Sequence, residues 1–231
     1  MAVAASSTTP SRQTTSQAIQ AMSRPLTIPV PRKLLVWLTC GVAGTILFAI
    51  IYLIEGVTRP GYSAWQQTIS SLSFGPEGWM QRANFMLCGV SVLWLTFVWR
   101  RILKGGAGAR CYPILHGIEG IGLIALGMFR QDPLHTLSMA VTMITMSVGF
   151  LVMARRFWQD PHWRGWAIFS IACFIWPNLV MPFFGVALNP HSVFSAYAGL
   201  IERLATSPDI VWGIVVLIPL LAGRPFMRAN S

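Results

Sequence analysis

Long apolar runs alternate with short polar ones along this chain. Residues 34–54 contain no charged side chain, and comparable runs follow at 83–99, 111–129, 136–154 and 165–188. A helix rises about 1.5 Å per residue, so about 20 apolar residues cross the ~30 Å hydrocarbon core of a bilayer. Each run therefore predicts a spanning helix. The third carries His116 and Glu119. A sixth run, 210–223, reaches span length only if Ser207, Pro208 and Asp209 form its capped start and Arg224 snorkels at its end.

The pattern predicts an all-α fold, a polytopic membrane helical bundle of about six transmembrane helices over residues 34–223. Residues 1–33 are rich in Ser, Thr, Gln and Pro and cannot offset folding entropy by burial, so they read as a disordered tail. The first apolar run starts too far into the chain for a signal peptide and reads as a retained anchor. Residues 224–231 form a second short tail.

Composition agrees with the pattern. Of the 231 residues, 54% are hydrophobic and 10% charged, and the mean hydropathy is +0.59. That is more apolar surface than a soluble domain buries, and it leaves no room for a separate catalytic domain. The net charge of +10 sits in short segments between the runs. It reads as topology signals and contacts to anionic lipid, with no nucleic-acid partner.

Lysine and arginine divide unevenly when alternate loops are pooled. Arg12, Arg24, Arg32 and Lys33, then Arg100, Arg101, Lys104 and Arg110, then Arg155, Arg156 and Arg164, then Arg224 and Arg228 fall on one side. Arg59, Arg82, Arg130 and Arg203 fall on the other. The basic side is expected in the cytoplasm, with both termini. Tryptophans flank the expected ends of the runs, with Trp65, Trp79 and Trp212 near outer ends and Trp176 near mid-span.

Cofactor chemistry finds little support. Cys40, Cys88, Cys111 and Cys173 are scattered without a CxxC pair, and one intramembrane histidine cannot provide two axial haem ligands. No metal site or cofactor is expected. Met139, Met143, Met146 and Met153 recur at helical spacing and read as packing or lipid contact. No internal repeat of the transporter kind is evident, and there is no GxSxG elbow.

Candidate chemistry gathers in the outer loops. Glu55 and Arg59 are spaced i, i+4, and on general grounds read as a solvated surface pair. Pro60 and Gly61 set a turn, and residues 65–72 suggest a short interfacial helix. Asp132 and Pro133 mark another turn, with His135 beyond it as an interfacial histidine. Val193, Phe194, Tyr197, Ile201 and Leu204 predict an amphipathic helix at the membrane surface, with Glu202 and Arg203 beside them.

Inside the membrane, His116 and Glu119 share a helix face. An ionisable group there needs a partner, water or protonation. Gly117, Gly120, Gly122 and Gly127 thin the same helix, which should be central to the bundle. Pro177 and Pro182 around Asn178 predict a bend in the fifth span.

Three segments, TRPGYSAWQQTISSL, GMFRQDP and GLIER, in that order and outside the membrane, resemble a bacterial family of six-span proteins known only as domain of unknown function nine-nine-eight. The resemblance covers roughly residues 34–223 and implies a six-helix bundle in a bacterial inner membrane, with no assigned activity. The residues it carries over are Arg59, Pro60, Gly61, Tyr62, Ser70, Asp132, Glu202 and Arg203. Their complementary charges predict that Arg59, Asp132, Glu202 and Arg203 converge in one outward cluster.

Three functional classes remain open. First comes a structural or partner-binding membrane subunit, whose partners are membrane lipids and a second membrane protein. Next is a lipid or small-molecule handling protein with an outward polar pocket. Last is a membrane-embedded hydrolase using Asp132 and a histidine.

Overall fold

A computed structural model describes residues 27–28, 30–130, 133–222 and 226–227. It contains six long helices: α1 Arg32–Thr58, α2 Gly78–Ile102, α3 Cys111–Met128, α4 Pro133–Trp158, α5 Arg164–Ala187 and α6 Ala198–Leu221. All six are long and apolar enough to cross a membrane. Asp132, residues 1–26 of the segment expected to be disordered and most of the C-terminal tail lie outside the described residues, whereas that segment's last residues hold a short strand and the start of α1. Within the tails, β1 Thr27–Ile28 pairs antiparallel with β2 Phe226–Met227, Thr27 opposite Met227 and Ile28 opposite Phe226. The chain therefore enters α1 and leaves α6 on the same side of the bundle.

The sixth helix departs most from expectation. It is neither short nor preceded by a separate surface helix; α6 begins at Ala198, includes Glu202 and Arg203, and runs through Pro208. Proline lacks the N–H that would bond to the carbonyl of residue 204. That carbonyl accepts instead from the Trp176 indole N–H at 2.8 Å and the Ser207 hydroxyl at 3.0 Å. Both donors satisfy the orphaned oxygen, so the helix continues where a capped start was expected. The fifth helix likewise runs through Pro177 and Pro182.

Each helix packs against its successor, and α6 returns to α1, closing a ring. Small residues set the tightest seam. A Cβ on Gly89 of α2 would lie 2.6 Å from the carbonyl oxygen of Gly120 on α3, and one on Gly127 would lie 2.5 Å from that of Arg82. Only glycine permits this backbone approach.

Two apolar clusters stack along the bundle. One joins Leu38, Val98, Phe150, Phe157, Trp212 and their neighbours. The other joins Tyr52, Ile69, Leu72, Phe85 and Leu126. Trp212 thus lies in the first core, its indole N–H donating to Ser170 Oγ at 2.9 Å, and does not sit at an outer boundary. Ile69 and Leu72 come from the α1–α2 loop, which contains a 3-10 turn, Ser70–Ser73. Both are buried, so this segment inserts between helices and is no interfacial helix.

The α2–α3 loop at the opposite end is held differently. Gly105, Gly106 and Gly108 adopt φ of 70°, 70° and 77°, which glycine alone takes at no steric cost. Arg156 of α4, fully buried, donates through Nη1 to the carbonyls of Gly105 and Ala107, each at 2.9 Å.

Candidate ligand cavity

The ring of helices encloses a cavity to which all six contribute, together with Ile69 and Ser70 of the inserted loop. The lining follows helical periodicity. Glu202, Thr206 and Asp209 form one stripe of α6; Glu119, Leu123 and Leu126 one of α3; Met139, Met143 and Met146 one of α4. Residues at i, i+4 and i+7 share a face, so these helices turn one stripe inward. The methionines therefore line the interior and do not face lipid. There is room of about 80 Å³ for the centres of water molecules, within about 820 Å³ of empty space counted out to the mouth. One water needs roughly 10–15 Å³ on the first measure, so several fit.

The walls are mainly apolar, with three carboxyl groups among the described lining residues and no lysine, arginine or histidine. Glu119 and His116 are both electrostatic neighbours of Asp209. His116 Nδ1 stands 3.0 Å from Glu119 Oε2. Its ring stacks on Tyr112 with centroids 5.5 Å apart. The other ring nitrogen, Nε2, is buried without a hydrogen-bond partner. Glu119 at the cavity wall is thus backed by a buried imidazole that lies behind the lining. Asp209 occupies the interior of α6, not the membrane-boundary cap expected for it.

The loop side is built by backbone clamps. Glu202, the third acid, accepts a hydrogen bond from the Ile69 N–H. Arg203, next in sequence, points elsewhere. Its Nη1 donates to the carbonyls of Ala64, Gln67 and Gly199 at 2.9, 3.1 and 2.8 Å, and its Nη2 to the Tyr62 hydroxyl at 2.6 Å. The guanidinium also lies over the Tyr52 and Tyr62 rings, 5.5 and 5.9 Å from their centroids. Burial pushes the Tyr62 phenol above its ordinary range, and the Arg203 guanidinium offsets part of that rise. Tyr62 therefore keeps its proton and donates to the Gln67 and Thr68 carbonyls at 3.0 and 2.9 Å.

Arg59 clamps the other end of the loop. It pairs with Glu55 at 3.0 Å and donates to the carbonyls of Leu72 and Phe74 at 2.6 and 3.2 Å. The pair is 14% and 5% exposed, so it is buried by the loop and not solvated as its spacing suggested. Pro60 and Gly61 form the turn between the clamps, with Gly61 at φ 74°. Arg59, just past the end of α1, and Arg203 of α6 thus hold one loop between them.

His135 is also buried, although its position after a turn suggested the interface. Its Nδ1 lies 3.0 Å from the Phe129 carbonyl oxygen and its Nε2 3.1 Å from Ser70 Oγ. Sequence reasoning missed the Ser70–His135 contact and the inward placement of Asp209. The i, i+7 relation of Glu202 to Asp209 was a signal for the second. Nothing local announces the first, which joins residues far apart in the chain. Among the described residues, no three His, Cys, Asp or Glu side chains are grouped as a metal ion requires.

A closed ring of six membrane-length helices around an acid-lined cavity, capped by an arginine-clamped loop, defines a multi-pass membrane protein. Among the described residues, the helices and the inserted loop supply the candidate site. The chain belongs to the family described as protein of unknown function (DUF998), whose model matches residues 42–219. No curated protein matches the chain, and no solved structure does.

Proposed function

We propose that this protein binds an amphipathic small molecule within the membrane, one with an apolar body and a cationic or hydrogen-bond-donating head. The observation that carries this reading is the convergence of Glu119, Asp209 and Glu202 on one mainly apolar cavity with no basic side chain among the described lining residues. A carboxyl group accepts hydrogen bonds whether charged or protonated, and a charged one attracts a cation strongly where water is scarce. An anionic head would meet repulsion there and no donor of charge-assisted hydrogen bonds. Ionisable groups inside a membrane bundle are costly and mark functional pathways. A purely structural bundle has no need of three at one cavity.

The setting for this activity is the inner membrane of a bacterium, with both termini in the cytoplasm and the clamped loop facing out. The uneven division of lysine and arginine supports that orientation.

The test is equilibrium binding to the purified protein in detergent, using a dansylated long-chain amine and a dansylated long-chain carboxylate. The amine should bind at least about tenfold tighter, a difference of about 1.4 kcal/mol. Combining Glu119→Gln with Asp209→Asn should erase the preference. Equal binding of the two probes, or none of either, would overturn the reading.

A further inference from the structure

A serine hydroxyl and an imidazole meet at the loop side of the cavity. Ser70 opens the 3-10 turn of the inserted loop and lines the cavity. His135, from the first turn of α4, stands against it with Nε2 3.1 Å from Oγ. Both are buried, at 8% and 5% exposure.

The tautomer follows from the other ring nitrogen. Nδ1 lies 3.0 Å from the Phe129 carbonyl oxygen, and a carbonyl can only accept, so the proton sits on Nδ1. In the neutral ring, Nε2 then presents its lone pair to the Ser70 hydroxyl. A general base must hold that state toward its nucleophile, at hydrogen-bond distance.

We propose that Ser70 and His135 form a nucleophile–base pair that cleaves a long-chain acyl ester bound in the cavity. The proposal rests on the cavity's role as a binding site. Ser70 Oγ attacks the acyl carbon as His135 Nε2 takes its proton. The bond from the acyl carbon to the alcohol oxygen breaks, and His135 returns the proton to the departing alcohol. Water attacks the acyl-serine, giving its proton to Nε2. Ser70 Oγ leaves with that proton, and the carboxylic acid is released. Water is the only co-reactant. The wall acids select the alcohol half: hydroxyl or amine donors fit, whereas a phosphate is repelled.

A merely structural contact between loop and helix would bring no chemistry, and three measurements separate the two. The wild-type protein in detergent is treated with a fluorophosphonate probe and the modified serine is located by peptide mass mapping; it should be Ser70. Monolauroylglycerol should be hydrolysed to laurate, and lysophosphatidic acid much more slowly. Ser70→Ala and His135→Gln should each lower laurate release by at least about 100-fold, with melting temperatures near that of the wild type. Absence of both labelling and hydrolysis in the wild type, labelling at another serine, or full activity in Ser70→Ala would overturn the proposal. Mapping uses the unaltered chain, so it decides even if a variant fails to fold. The non-hydrolysable ether 1-O-dodecylglycerol separates the two readings. If it binds and the ester is not turned over, the cavity stands and the nucleophile falls. If it does not bind, both fall.

Discussion

Replacing Arg203 by methionine removes the guanidinium while keeping a long apolar stem over Tyr52. The guanidinium donates to three backbone carbonyls and to the Tyr62 hydroxyl, all at 2.6–3.1 Å. A hydrogen bond from a charged donor contributes about 1.5–3 kcal/mol net, but bonds sharing one group do not add. Two of the acceptors, Ala64 and Gln67, belong to the loop over the cavity, which Arg59 still holds at its other end. A total loss of about 3 kcal/mol is therefore expected. For a domain of this size each kcal/mol moves the melting temperature by about 2–4 °C, so the midpoint should fall by about 6–12 °C. Thermal unfolding in detergent, followed by tryptophan fluorescence, measures it. The loop should also loosen before the bundle melts. Cys88 is buried and lines the cavity, so with Cys40, Cys111 and Cys173 replaced by serine its reaction with a small maleimide should accelerate in Arg203→Met. A midpoint shift under about 2 °C, with Cys88 no more reactive, would refute the clamp argument, because that loss falls below about 1 kcal/mol.

Gly199→Ala should destabilise the same loop by a different route, since its Cβ would lie 2.1 Å from the Gln67 carbonyl oxygen and 2.6 Å from that of Ala64; a melting temperature unchanged from wild type would contradict that backbone contact. Trp176→Phe should cost about 1 kcal/mol by removing one donor to the Leu204 carbonyl that Pro208 leaves open, and Pro208→Ala in the same background should restore it; denaturant titration of the single and double variants would show whether the two are coupled. In a cysteine-free background, Gln66→Cys should react with an impermeant maleimide on intact cells and Lys104→Cys only after permeabilisation, because the basic loops are expected inside; the reverse pattern would invert the topology.

The apolar runs by themselves determined that the chain is a bundle of about six membrane-spanning helices, five of them of full length. Hydrocarbon thickness requires about 20 apolar residues per crossing whatever the partners. The pairing of His116 with Glu119 was equally legible, because helical geometry sets neighbours three residues apart on one face. The glycines of α3 likewise announced a close helix contact.

Tertiary structure alone decided which faces turn inward. The sixth span read as short because Pro208 and Asp209 resemble a helix start, yet the Trp176 indole from α5 satisfies the carbonyl that Pro208 orphans, and the helix passes through. Asp209 thereby moves from a boundary to the cavity wall. Glu55 with Arg59, and His135 after its turn, looked like surface groups because local spacing carries no information about what covers them. The inserted loop buries the pair, and Ser70 from that loop meets His135 across 65 positions. A site assembled from six helices and a loop depends on ring closure between α1 and α6, which brings together residues that no local pattern relates.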